Sequence, residues 1–239
     1  MDDLKKFSIW SVVKFDLIGK EFEPDFMIYF DDHIRELVLR EGFVRSWRTR
    51  EARRSYNTGL LEQEFCQIYQ IDEPERFSGS SPKRGMAPAS EKEPWRRDLS
   101  NWGRVFYRVQ MRKENDGRAG RYWARYEFDF PGKKKDLPDF RRSLGSYIGK
   151  VAEQTGVHRA WQLEYVANEW QVDKDPAAKH MALFEIDAPE NIFDPSLSAD
   201  RVAWPGKAGG KTAPLVARHF SHLLLTVDDL KRKLGPAKK

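Results

Sequence analysis

Five histidines, His33, His158, His180, His219 and His222, are the side chains best able to move a proton near neutral pH. His219 and His222 stand in the run "HFSH". Three places apart on a strand, their imidazoles leave on opposite faces, which argues against joint metal ligation. His158 falls on the face opposite Arg159, and His180 starts a strand. A second signal is the spacing Arg-x-Trp, at Arg45 and Trp47 and again at Arg159 and Trp161. On a strand the two members share a face, offering a guanidinium fork for a carboxylate beside a flat apolar wall. Such a pocket suits a planar, unsaturated organic acid; alternatively the pairs stack between two halves of the chain. There is no Gly-x-Ser-x-Gly elbow, and "KAGGKT" lacks the strand and spacing of a phosphate loop. Cys66 is the only cysteine, so neither an internal disulfide nor Cys/His metal spacing is available. Proton transfer without a cofactor is the chemistry these residues favour.

The elements that would carry them occur in pairs. "WSVVKFDLIGK" (10 to 20) returns as "WARYEFDFPGK" (123 to 133), and Pro24-Asp25-Phe26 returns as Pro138-Asp139-Phe140. Gly42 matches Gly156, and "IYQIDEPE" (68 to 75) matches "LFEIDAPE" (183 to 190). Matched blocks in one order imply a duplication, with copies at 1–115 and 116–239. Each copy reads as strand, helix, strand, strand, helix, strand, the ferredoxin-like pattern. The strands are expected at 9–18, 43–50, 64–71 and 104–111, then at 121–130, 157–166, 179–186 and 218–227. The first helix should carry Phe26, Tyr29, Phe30, Ile34, Leu37 and Val38 and end at Gly42. "DEPERF" should open the second. The stretches 78–95 and 204–214 read as mobile loops over a site or as plain surface excursions.

Alternation then assigns faces. Val13, Phe15 and Leu17, with Ala124, Tyr126 and Phe128 in the second copy, suit a helix-covered face. That leaves Trp10, Lys14 and Asp16, with Trp123, Arg125, Glu127 and Asp129, on the other. Unpaired charge in a plain apolar core is costly, so these residues point either to a ligand-holding cleft or to strand ends at a wet rim. His222 should lie on the last strand opposite Arg108, with His219 on the other rim.

Composition narrows the partners. The 42 basic residues are interspersed with 37 acidic ones, leaving a net charge of +5 without the long basic stripe that nucleic-acid binding requires. No run of about 20 apolar residues is present for a membrane span. The beginning "MDDLKKFSIW" has no apolar signal core. A cytoplasmic location is expected, with no nucleic acid and no membrane as partner.

The stretch "YFDDHIRELVLREGFVRSWRTRE" followed by "FCQIYQIDEPERF" resembles the EthD-like type of dimeric α+β barrel protein. The resemblance rests on Asp31-Asp32-His33, on Gly42 and on Tyr69 to Glu75. It implies an α+β fold in which two four-stranded sheets pack face to face, here within one chain as an intramolecular pseudo-dimer, with self-association through outer surfaces left open. It also implies a role for His33, at the acidic-acidic-His position near a barrel mouth. Tyr147 occupies the equivalent place in the second copy. The function expected is a cofactor-independent isomerase, tautomerase or cyclase of aromatic compound catabolism. It would act on a small aromatic or unsaturated carboxylic acid. The catalytic candidates are His33, Tyr147 and His222. The substrate-binding candidates are Trp10, Lys14, Arg45, Trp47, Arg108, Trp123, Arg125, Arg159 and Trp161. The alternatives are an oxygen-dependent monooxygenase, a haem-handling barrel, or a non-catalytic binding protein of the same type.

Overall fold

β-Branched and aromatic residues at alternate places make the strands of this chain. In the computed structural model, residues 6–52, 63–77, 99–115, 117–168, 178–192, 201–204 and 211–228 are described. They form β1 (Ile9–Leu17), α1 (Glu23–Leu39), β2 (Phe43–Glu51), β3 (Phe65–Ile71) and β4 (Leu99–Glu114). There follow β5 (Tyr122–Phe128), α2 (Leu137–Ala152), β6 (Val157–Asn168), β7 (His180–Ile186), β8 (Arg201–Trp204) and β9 (Lys211–Asp228). All pairings are antiparallel, in the order β2-β3-β1-β4-β6-β7-β5-β9-β8, and β2 also pairs with β9. Eight strands therefore close into a barrel, and β8 extends β9 as an outlying ribbon. Closure leaves those eight strands without a free edge.

Two seams join the first four strands to the rest: β4 against β6 and β2 against β9. Because every neighbour is antiparallel, β1 and β5, four places apart, run in the same direction. Trp10 and Trp123 therefore stand near the same end of the barrel.

Each helix starts with a proline in its first turn, where the missing N–H costs nothing, and with acidic residues that favour the positive end of the helix dipole. α1 buries Phe26, Phe30, Ile34, Leu37 and Val38 against the barrel wall. Phe15 of β1 meets Phe26 and Phe30 and stacks on Phe65, the ring centroids 5.5 Å apart. α2 does the same with Phe140, Leu144, Ile148 and Val151 over Ala124, Tyr126, Phe128 and Phe184. Each such fully buried side chain contributes about 1.5–3 kcal/mol. Arg48 lies under α1, ion-paired with Asp31, with its guanidinium over the Phe30 ring. Gly42 and Gly156 both turn helix into strand at positive φ, 82° and 81°. A Cβ at Gly156 would also sit 2.6 Å from the Asn191 side chain.

Four expectations change. Tyr29 is 54% exposed, because it falls a quarter-turn away from the Phe26–Phe30 stripe. The "DEPERF" and "DAPENI" segments begin as four-residue 3-10 turns, Pro74–Phe77 and Pro189–Ile192; any helix beyond them, like the stretch 78–95, lies outside the described residues. Residues 211–214 are not loop: they open β9 and pair with Arg201–Trp204. β4 and β9 are much longer than expected, since each passes from one partner to the next: β4 pairs with β1 over 99–108 and with β6 over 105–114, and β9 pairs in turn with β8, β5 and β2. Among the described residues no helix is long and apolar enough to cross a membrane.

Candidate functional site

The barrel interior is filled first by indoles. Trp10 and Trp123 come from β1 and β5, Trp47 and Trp161 from β2 and β6. The Trp10 ring lies 5.0 Å from Trp47, 5.9 Å from Trp123 and 5.2 Å from Trp161, centre to centre. Val12, Ile68, Tyr107, Leu163, Met181 and Leu183 complete this inner core. All four indoles are at least 96% buried. Of the ligand-holding cleft that alternation allowed, the part at this layer is filled: shape-matched aromatic packing excludes solvent.

Beside the indoles remains a cavity of about 20 Å³, enough for one or two water molecules. Trp10, Trp123, Thr49, Cys66, Arg125 and Ser221 are among its walls. A flat macrocycle of haem size does not fit there.

The end of the barrel next to this cavity is charged. Register places Lys14 of β1 opposite Cys66 of β3, and Cys66 opposite Thr49 of β2. On β5, Arg125 lies opposite His219 of β9. Arg125 Nε stands 2.9 Å from Glu127 Oε1, and Lys14 Nζ lies 3.8 Å from the same oxygen. Burial lowers the Lys14 amine from its ordinary 10.5 to about 8, with Arg125 pushing the same way and Glu127 opposing. Burial also depresses the Arg125 guanidinium, against the pull of Glu127 and Glu51. For Glu127 burial alone would raise the carboxyl; Lys14 and Arg125 outweigh it and hold the group ionised. Burial pushes the Cys66 thiol up to about 11, which leaves it unreactive at neutral pH. The site thus combines an amine poised near neutrality, a carboxylate and a desolvated guanidinium.

His219 faces the same cluster and is 4% exposed. Burial, reinforced by Arg125, lowers its imidazole from 6.5 to about 3. Between those values the unfolded chain takes a proton that the folded protein refuses, so stability falls as the pH drops through 6.5 towards 3. His219→Gln is expected to flatten this acid limb, and urea melts of both proteins from pH 7 to 4 measure it. Parallel curves would remove His219 as the cause.

The opposite end is charged too, but its groups are matched with one another. Arg45 bonds Asp228 at 2.7 Å. Arg159 bonds Glu114 at 3.1 Å, Glu185 at 2.8 Å and the Gly117 carbonyl at 3.1 Å. Arg112 pairs with Glu114. Glu185, 1% exposed, also accepts the Gly120 N–H at 2.9 Å. This is a closed ionic network, so Arg45 and Arg159 are held by protein carboxylates.

The expected site residues therefore divide. Trp10, Lys14, Trp47, Trp123, Arg125 and Trp161 are inside the barrel; Trp10, Trp123 and Arg125 line the cavity, and Lys14 stands opposite its wall residue Cys66. His33 is not: α1 lies outside the barrel, where His33 stacks near Phe30 at 6.2 Å. Tyr147 sits on the outer α2, edge-on to Phe128 and Phe184, with its hydroxyl pushed far up by burial. His222 is exposed with its ring against Tyr122. It does not lie opposite Arg108, because β9 neighbours β5 and β2, whereas β4 neighbours β1 and β6. Arg108 itself is exposed. His158 bonds Asp187 at 2.8 Å, and His180 packs edge-on to Phe140. Sequence reasoning missed Cys66, Thr49 and Ser221 as wall residues and left Glu127 out of the site. Among the described residues, no group of three or more His, Cys, Asp and Glu side chains could hold a metal ion.

No family model matches the chain, and no curated protein matches it. Solved structures do. An anthrone oxidase-like protein aligns over 93% of this chain and 94% of its own, with a TM-score of 0.57 at 12% identity. A candidate monooxygenase from Fusobacterium nucleatum aligns over 93% and 94%, at TM-score 0.56 and 11% identity. A third, from Lactobacillus acidophilus, aligns over 93% and 97%, at 0.55 and 9%. At such identities the likeness is one of fold: the chain shares the dimeric α+β barrel architecture of these proteins.

Proposed function

We propose that the chain is an enzyme that moves a proton on a small aromatic or unsaturated carboxylic acid, an isomerase, tautomerase or cyclase needing no cofactor, with its site at the Lys14 end of the barrel. The observation that carries this is Lys14: an amine with a pKa of about 8, flanked by Glu127 and Arg125, beside a cavity with apolar walls. Neutral Lys14 takes the proton from a carbon next to a carbonyl. The C–H electron pair moves to the carbonyl oxygen, and Arg125 stabilises the resulting enolate. The ammonium then returns the proton to a different carbon. Glu127 holds the amine in place. The cavity has room for a carboxylate or carbonyl head but not for a ring, so the remainder of the substrate lies towards the charged end.

We read the halves 1–115 and 116–239 as two copies of one ferredoxin-like unit of the EthD-like type. In support, Trp10 and Arg45 both pair with Gln70, and Trp123 and Arg159 both pair with the equivalent Glu185. The proton site then belongs to neither copy alone, since Lys14 and Glu127 occupy matching places.

Incubating the protein in D2O with a panel of small unsaturated and aromatic acids, followed by NMR, tests the reading. Exchange is expected to rise with pH and level off above about 8, as Lys14 loses its proton. Absence of exchange across the panel, with ligand-induced melting shifts, would leave a binding protein instead. Oxygen chemistry is a second reading, favoured by a cavity large enough for a diatomic molecule and by the names of the fold neighbours. Oxygen uptake with an anthrone or quinol, without proton exchange, would establish it in place of the first.

A further inference from the structure

Two indole nitrogens in the barrel find no acceptor among the described residues. Trp10 Nε1 and Trp123 Nε1 are buried and donate to nothing among the described residues, and their side chains are only 1% and 3% exposed. A buried N–H left unsatisfied costs about 1–3 kcal/mol. Two of them, on strands that run in the same direction, with rings stacked 5.9 Å apart and both lining one cavity, mark a place built for an acceptor atom. Arg125, Thr49 and Ser221 line the same cavity.

We propose that this cavity binds one small monovalent anion, a halide or the carboxylate or enolate oxygen of the substrate, through the indole N–H groups of Trp10 and Trp123 with Arg125 supplying the charge. The surrounding charges set its selectivity. Arg125 and Lys14 are faced by Glu127 and Glu51, and His219 stays neutral, so the field is close to balanced. A dianion such as sulfate or phosphate would meet two carboxylates without enough cations to offset them. A halide or a carboxylate oxygen, weakly hydrated on one side and content with neutral donors, matches the apolar walls. As a cradle for the substrate's oxygen the site rests on the function proposed above; as a halide site it stands apart from it.

The test uses the tryptophans themselves. Sodium bromide, added at constant ionic strength with sodium sulfate as the balancing salt, quenches an indole that it touches. Saturable quenching is expected in the wild type, with a bromide peak between Trp10 and Trp123 in anomalous diffraction from soaked crystals. Trp10→Phe and Trp123→Phe should each raise the bromide midpoint at least tenfold, while Trp161→Phe leaves it in place. Sodium formate that displaces bromide assigns the site to a carboxylate; saturable bromide binding indifferent to formate assigns it to a halide. Quenching linear in bromide, together with an empty difference map, overturns the proposal, and so does a midpoint unchanged in both Phe variants. If either variant fails to fold, the wild-type diffraction experiment decides. Bromide binding without proton exchange on any acid would refute the enzymatic reading alone. Proton exchange without bromide or formate binding would refute this inference alone.

Discussion

Lys14→Met should lower proton exchange by a factor of about 100 or more while leaving the barrel folded. Methionine keeps the length and fills the same space, and Glu127 retains Arg125 at 2.9 Å, so no carboxylate is stranded. Stability provides a second, independent readout. Between about 8 and 10.5 the folded wild type holds fewer protons than its unfolded chain, because the Lys14 pKa is lowered in the fold. Wild-type stability therefore rises with pH across that window, and below about 8 the full cost of a partly desolvated ammonium is present. The variant lacks this cost, so its advantage over wild type should be largest below pH 8 and shrink as the pH approaches 10.5. His33→Ala is the matched control: His33 is half-buried on the outer helix, and its loss should change the exchange rate little. Exchange that survives in Lys14→Met but disappears in His33→Ala would return the site to α1.

That contrast shows where the sequence was readable. The strands of each half, the helix stripe from Phe26 to Val38 and the two turn glycines follow from local periodicity and backbone sterics, which act within a few residues. The alternation in β1 and β5 was also legible, because one face is helix-covered and the other carries Lys14 or Glu127. In β3 and β7 every residue is buried, so alternation carries no signal and the inward turn of Cys66 could not be seen. His222 was misplaced for a different reason. The pairing that closes this barrel, β2 with β9, joins residues 170 to 183 apart in the chain, from Glu51 with Ser221 to Arg45 with Asp228, and β9 could be set beside β2 only once that seam was known. His33 was carried by likeness to a motif, whereas the packing of α1 puts that motif outside the wall. The amount of space inside was equally beyond reach: four tryptophans on inward faces describe a lined chamber or a filled one, and only their mutual distances distinguish the two.

Trp10→Ala should cause the largest loss of stability, about 3–5 kcal/mol. The Trp10 ring touches all three other indoles, and it comes from the first half while Trp123 and Trp161 come from the second. Removing it takes dispersion contacts from both sides of the barrel at once, in a layer whose other members are also aromatic and anchored on different strands. The walls cannot collapse into the gap, since eight strands bonded edge to edge fix the barrel's circumference. For a chain of this size the loss corresponds to a melting temperature lower by about 6–20 °C. Added indole should restore part of it by filling the space, about 1.4 kcal/mol at ten times its dissociation constant. Calorimetry with and without indole measures both effects. If Trp10→Ala melted within 2 °C of wild type, about the shift expected for a surface change, the indole layer would not be what joins the two seams, and the four rings would have to be free to part around a guest in the native protein.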